Sequence, residues 1–348
     1  MLWDSWSPAD GPTRMSTTAA SFALYVGLWT AQTLLVRAAV QPNGSYAFDY
    51  ATVCLCVECV KLGGALLALA LGADGGAKLS PCARVGRALS NAPASLPFAA
   101  PSILYCAYNL LQFVNLALVS APTFRTVINI KVVFTALFAR CLVANSTPTV
   151  QQWLALLTLA AGCAVSQLDE RLEPVSVVGF CLICLQGSLS SLAGVFTQWL
   201  MQHENGRART LGFWERGVFL YAWGAVANLL FIAFFCPAAL ASPSAFFTGY
   251  STLTAVIVLN GALAGFSTAL LLRLLSAVAK EFANAAEILT TALAARALFG
   301  TRLPAALGVG AVLVVGAMAT YERAKPPGPK PKSSDSLAVP QAAIASLC

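Results

Sequence analysis

The sequence predicts an all-α membrane protein, with ten transmembrane helices arranged as two inverted five-helix repeats. Three observations carry that fold class. The chain has 348 residues, of which 58% are hydrophobic and only 10% charged, whereas about a quarter of the residues of a soluble domain are charged. Fifty-six consecutive residues, Gly217 to Leu272, carry no charge at all. Two short segments recur at one fixed offset of 156 residues. With a mean hydropathy of +0.74, too little polar surface remains to cover a water-soluble core, so the bilayer is the solvent. A membrane β-barrel would need segments of about ten residues alternating in polarity. The uninterrupted apolar runs instead suit helical spans of about 20 residues.

The spans lie between charges and turn residues. Residues 1–20 hold Asp4 and Asp10 and no apolar core, so they read as a cytosolic tail rather than a cleavable signal peptide, with the first span as the insertion signal. Spans at 21–40, 50–71, 98–118, 124–143 and 151–167 make up a first repeat over 21–167, and spans at 175–201, 214–236, 252–272, 281–299 and 303–320 make up a second over 175–320. Residues 321–348, with Pro326, Pro327, Pro329, Pro331 and a Ser-rich stretch, read as a disordered cytosolic tail. With both tails on one side, that side carries 14 Lys and Arg residues against 5 on the other, which makes it cytosolic by the positive-inside rule. The sequon at Asn43 then falls in a lumenal loop and the one at Asn145 in a cytosolic loop, where glycosylation cannot occur.

The repeat is carried by TALFARCLV (135–143), which recurs as TALAARALF (291–299), and by LVSA (118–121), which recurs as LLSA (274–277). Coincidence in Ala- and Leu-rich sequence is the competing explanation. A duplicated unit with an odd number of helices must insert in opposite orientations, the plan of secondary transporters whose substrate site lies at the repeat interface near the midplane.

The net charge of +7 is spread over loops, so nucleic acid is not an expected partner. The eleven cysteines lie mostly in apolar runs and read as small core residues. The pairs Cys56/Cys59 and Cys181/Cys184 lack second pairs or histidines at zinc spacing, and the one histidine, His203, sits in a predicted loop. No metal or other cofactor is expected. Nor is an enzyme, because no paired carboxylates, histidine cluster or activated Ser/Lys dyad stands out.

Ionisable groups inside spans cost about 3 kcal/mol each on insertion scales and so normally face a bundle interior or watery cavity. Glu58 and Lys61 are three apart on one helical face, where they can pair with each other or line a site. Lys131 lies well inside the fourth span with no acid one turn away, and the repeat sets Glu287 at the equivalent position. Lys131 is therefore the strongest site candidate, as a ligand for anionic phosphate oxygens, with Glu287 the rival counter-charge. Lys280 and Glu281 stand at the mouth of the ninth span; for Lys280 and Arg273 a cytosolic anchoring role is the alternative. Tyr105 and Asn109 share a face of the third span, where they can stack on and hydrogen-bond to a base or sugar, or serve helix packing.

At these residues the chain resembles a known family. PSILYCAYNLLQF (101–113), TFRTVINIKVVFTALF (123–138) followed by QQWLALLTLAAGCAVSQ, LSSLAGVF (189–196), and AKEFANAAEILTT (279–291) with LFG at 298–300 are similar to the nucleotide-sugar transporters, in the branch that contains CMP-sialic acid and UDP-galactose transporters. VECVKL (57–62) resembles that branch's second-helix Glu-x-x-Lys pattern. The resemblance spans all ten segments in order. It implies the ten-helix fold of the drug/metabolite transporter superfamily and the exchange of cytosolic nucleotide sugar for lumenal nucleoside monophosphate. It further implies that Lys131 and Lys280 contact the phosphate region, that Tyr105 and Asn109 line the nucleotide pocket, and that Glu58, Lys61, Ser190, Tyr221 and Arg125 occupy pocket positions.

The chain also departs from the family pattern. Phe124, Arg125 and Asn129 replace the usual Tyr-Gln and Gln of the fourth-span motif, Gln198 and Trp199 replace a Glu-Lys pair, Gly217 replaces an Asn, and Glu281 follows Lys280 where a small Gly is usual. Base and sugar therefore cannot be carried over from the family. The resulting expectation is an alternating-access nucleotide-sugar antiporter with nucleotide sugar, nucleoside monophosphate and the lipid bilayer as partners, able to form a homodimer. It would be multi-pass in the Golgi membrane, or alternatively the endoplasmic reticulum. Another organic-anion carrier of the superfamily and a non-transporting membrane partner protein are the alternatives.

Overall fold

A computed structural model describes residues 12–42, 45–74, 80–119, 121–143, 148–168, 175–202, 211–300, 303 and 306–324. The helices in chain order are α1 (Pro12–Ala38), α2 (Tyr50–Ala70), α3 (Pro81–Ser90), α4 (Leu96–Leu118), α5 (Ala121–Val127), α6 (Lys131–Leu142), α7 (Val150–Ser166), α8 (Val177–Gln202), α9 (Phe213–Phe235), α10 (Pro243–Phe246), α11 (Thr252–Leu274), α12 (Ala277–Phe299) and α13 (Leu307–Arg323). Strand-like pairing among the described residues is confined to one bridge, Val40 with Tyr46. The described residues are all-helical in secondary structure, and each of the ten predicted segments overlaps helix. Five helices, α1 over Thr17–Ala38, α2, α8, α9 and α11, are long and apolar enough to cross a membrane. Asn43, Asn145, His203 and the C-terminal tail from residue 325 lie outside the described residues.

Local chemistry starts the helices where it does. Asp49, Ser80 and Ser276 cap α2, α3 and α12 with side-chain oxygens, and Thr149 with Gln152 forms a reciprocal capping box at α7. The capping residue of α9 is Gly212, which has no side chain for the task. Asp74, from the turn after α2, reaches across instead, and its Oδ2 accepts from the backbone N–H groups of Trp214 (2.9 Å) and Glu215 (3.1 Å).

Two features differ from the sequence-based expectation. The fourth segment is not one helix: α5 ends at Val127, a 3₁₀ turn runs over Ile128–Ile130, and α6 begins at Lys131. Such a tightened turn inside a helical run is a recurrent sign of a hinge. The cysteines are not uniformly core residues either. Among the described ones Cys163 is buried, whereas Cys59, Cys82, Cys141 and Cys181 are exposed. In a bilayer the outer face is as apolar as the interior, so an apolar run does not by itself place a residue inside the protein.

Packing follows a pairwise pattern. α2 lies along α9, and α7 along α13; α1 packs on α11 and α12, while α8 packs on α4 and α6; α11 rests on α2 as α4 rests on α9. Each of these pairings has a counterpart when α1, α2, α4, α6 and α7 are exchanged for α8, α9, α11, α12 and α13. The pairing of α8 with α11 has no equally extensive counterpart between α1 and α4. α7 and α13 approach each other backbone to backbone. A Cβ added at Gly162 would stand 3.1 Å from the Gly310 carbonyl oxygen, and one added at Gly310 would stand 2.7 Å from the Gly162 oxygen. Small residues let two membrane helices meet backbone to backbone. The largest buried cluster joins α1, α6, α7, α11, α12 and α13 through Tyr25, Val132, Leu159, Leu271, Phe282 and Tyr321, and a second joins α2, α4, α8 and α9 through Leu69, Phe98, Leu200 and Phe219.

Candidate functional site

The helix break determines where Lys131 goes. As the first residue of α6 it leaves the 3₁₀ turn next to α8, where the Ser191 hydroxyl donates to the Lys131 carbonyl oxygen at 2.8 Å and the Thr135 hydroxyl does so at 2.9 Å. The side chain then reaches the first turn of α12. Its Nζ lies 3.7 Å from Glu281 Oε2, and Lys280 Nζ lies 3.6 Å from Glu281 Oε1. The Glu281 side chain is 2% exposed, a depth at which an unpaired carboxylate would be prohibitive. Asn284 Nδ2, one turn on, donates to Glu281 Oε2 at 3.0 Å, and the Tyr25 hydroxyl of α1 donates to Asn284 Oδ1 at 2.5 Å. Helices α1, α6 and α12 thus meet in one polar network with two ammonium groups and one carboxylate.

The carboxylate beside Lys131 is therefore Glu281, not Glu287, the rival counter-charge that the repeat offered. The Oε1 of Glu287 accepts from Thr33 (3.0 Å) and Thr291 (2.9 Å). Equivalence in a repeat relates positions by symmetry, and symmetry-related positions need not touch. Lys280 is not a surface anchor either, because it is buried. Arg273 keeps a place at the helix end, with its guanidinium 5.0 Å from the centre of the Phe213 ring.

Tyr105 belongs beside the lysines. A Cβ placed on Gly194 of α8 would find Lys280 Nζ at 3.1 Å and the Tyr105 hydroxyl at 3.9 Å, so both groups converge over a bare stretch of helix backbone. Ser190 is buried one turn earlier on α8, and Asn109 is half-buried one turn beyond Tyr105 on α4. The backbone of Arg125 lies in α5, but its side chain is outside the described residues.

Glu58, Lys61 and Tyr221 form a separate cluster between α2 and α9. Lys61 Nζ lies 2.6 Å from Glu58 Oε1, and the same ammonium stands 4.8 Å from the centre of the Tyr221 ring. Gly224 and Gly265 leave the space these two charged side chains occupy: a Cβ at Gly224 would be 2.6 Å from Glu58 Oε2, and one at Gly265 would be 2.5 Å from Lys61 Cδ. Of the two roles the spacing allowed, the ion pair is formed.

Sequence reasoning missed Tyr25 and Asn284, which orient Glu281, and placed Glu281 at the mouth of the ninth span and as a departure from the family pattern without giving it a partner. Gln198 was also noted only as a departure. Its Oε1 accepts from the Ala277 N–H at 2.8 Å and its Nε2 donates to Gln202 Oε1 at 3.0 Å, while Gln202 Nε2 donates to the Leu272 carbonyl at 2.8 Å. These amides fix α8 to the turn between α11 and α12, which carries Lys280 into the site.

Comparison with known proteins gives this geometry a family. The family model described as Nucleotide-sugar transporter matches residues 15–322. The chain belongs to the nucleotide-sugar transporter family. It is 26% identical to CMP-sialic acid transporter 1 of Oryza sativa subsp. japonica, over 86% of this chain and 92% of that protein. To CMP-sialic acid transporter 2 of Oryza sativa subsp. indica and the UDP-galactose translocator of Mus musculus it is 29% identical over 65% of its length, covering 63% and 58% of theirs. The chain thus spans less than two thirds of the length of those last two relatives. A solved structure titled "Crystal structure of protein" shares the fold, with a TM-score of 0.61 at 15% identity over 88% of this chain and 96% of that one. These relatives are named as transporters, not enzymes.

Proposed function

We propose that this member of the nucleotide-sugar transporter family is an antiporter that exchanges cytosolic nucleotide sugar for lumenal nucleoside monophosphate by alternating access, across ten spans in two inverted repeats. The observation that carries the reading is the convergence of Lys131 and Lys280, one from each half of the chain, on a single buried locus beside a helix break. Two ammonium groups with a tyrosine hydroxyl close by can hold a phosphate as point-charge donors and release it. A site shared between halves is what alternating access requires, because rocking one half on the other presents the same groups to each side in turn.

The pairwise helix packing supports the repeat. The extensive contact of α8 with α11, without an equal contact of α1 with α4, is the asymmetry expected of a carrier closed towards one side. Tyr105, Asn109 and Ser190 line the site towards base and sugar. Glu58, Lys61, Tyr221 and Arg125 are further pocket positions in this reading. The names of the relatives point to a pyrimidine nucleotide sugar, and the charge distribution to both tails in the cytosol; the membrane in this reading is that of the Golgi, or alternatively the endoplasmic reticulum. Thermal melting of the purified chain with CMP, UMP, GMP and AMP tests the site. Stabilisation by a pyrimidine monophosphate, lost in Lys280→Ala, supports the reading, and indifference to all four contradicts it.

A further inference from the structure

Among the described residues, the Lys–Glu contacts form two clusters of different kinds. Lys61 and Glu58 are closed at 2.6 Å, the length of a strong charge-assisted hydrogen bond. Glu281 holds Lys131 at 3.7 Å and Lys280 at 3.6 Å, well beyond the roughly 2.7–2.9 Å of such a bond. Among the described residues, its closest donor is the neutral Asn284 amide, at 3.0 Å. The carboxylate therefore bridges two ammonium groups without saturating either, and it lies between them, where an anion would lie. Asn284 is in turn fixed by Tyr25, so the acid keeps a partner if it gives up its lysines.

We propose that Glu281 is a resident counter-anion, a built-in stand-in for the substrate phosphate that clamps α6 to α12 in the substrate-free carrier and must yield both lysines when phosphate enters. This rests on the nucleotide-transport reading above and adds to it a determinant of substrate affinity. An ionised Glu281 lowers the charge of the two-lysine site from two to one. A phosphate monoester, with a charge of about −1.5 to −2 at neutral pH, has to exchange with the carboxylate rather than occupy bare lysines. The protein consequently gains less from the phosphate than a two-lysine site would give, and its substrate-free form is less costly to reorient.

Binding of CMP, UMP, GMP and AMP, and of the corresponding nucleosides, to the purified full-length chain and to Glu281→Gln and Glu281→Gly tests this. The wild type is expected to prefer the bound nucleotide to its nucleoside by no more than about tenfold. Both variants are expected to bind the monophosphate at least tenfold more tightly than wild type, with nucleoside affinity changed less than twofold. Equal or weaker monophosphate binding in a folded variant overturns the proposal and leaves the nucleotide site standing. A wild-type preference of a thousandfold or more over the nucleoside overturns it without any variant. If the wild type binds none of the nucleotides, the transport reading falls, and this proposal falls with it.

Discussion

Lys131 and Glu281, 150 residues apart in sequence, lie 3.7 Å from each other and join helix α6 of the first half of the chain to α12 of the second. The contact gives a buried carboxylate two cationic neighbours instead of one. It also means that Lys131, the proposed phosphate ligand, is tied to the stability of the protein.

That coupling can be measured. Lys131→Ala leaves Glu281 with Lys280 and Asn284, so the cost is expected to fall short of the roughly 3–5 kcal/mol of a fully stranded charge, at about 1–3 kcal/mol. Glu281→Gln in the same chain is expected to recover most of that loss. Melting temperatures of the two single variants and the double variant give the interaction energy, and additive effects would show that the pair contributes nothing. Nucleotide affinity is expected to remain lost in the double variant, because the phosphate ligand is still missing.

A second prediction concerns the outer cluster. The Lys61 ammonium faces the Tyr221 ring at 4.8 Å, and a partly desolvated contact of this kind contributes about 1–2 kcal/mol. Tyr221→Phe keeps the ring and is expected to melt within error of wild type. Tyr221→Leu loses both the ring and packing volume at a buried position, for an expected 2–4 kcal/mol. Equal melting of the Phe and Leu variants would show that the lysine does not use the ring.

How far the sequence carries the fold is clear from particular segments. Apolar runs placed every long helix, because charge is excluded from lipid wherever it lacks a partner. The break at Ile128–Ile130 left no such trace: Ile-Asn-Ile contains neither Gly nor Pro, and the turn is held from outside, by Ser191 bonding to the Lys131 carbonyl. Helix α3 escaped notice because its ten residues are too few and too polar for a span. Glu58 with Lys61 was legible because both sit on one helix at helical spacing. Glu281 with Lys131 was not, since their meeting depends on how α12 packs beside α6.

A third prediction addresses the distant cap. Asp74 supplies the acceptor that Gly212 cannot, for two N–H groups of α9. Asp74→Ala is expected to cost about 1–2 kcal/mol, with Asp74→Asn intermediate because the amide oxygen still accepts but carries no charge towards the helix N-terminus. Melting of the three proteins in one detergent checks the order. An unchanged Asp74→Ala protein would mean that water caps α9 equally well.

Exchange itself is most directly tested by uptake of labelled CMP- and UDP-sugars into proteoliposomes holding the purified chain, compared with and without nucleoside monophosphate loaded inside. The predicted result is uptake above protein-free vesicles that is accelerated by the matching internal monophosphate and abolished by Lys280→Ala. Uptake that ignores the internal nucleotide, or no uptake of any nucleotide sugar in either condition, would contradict it.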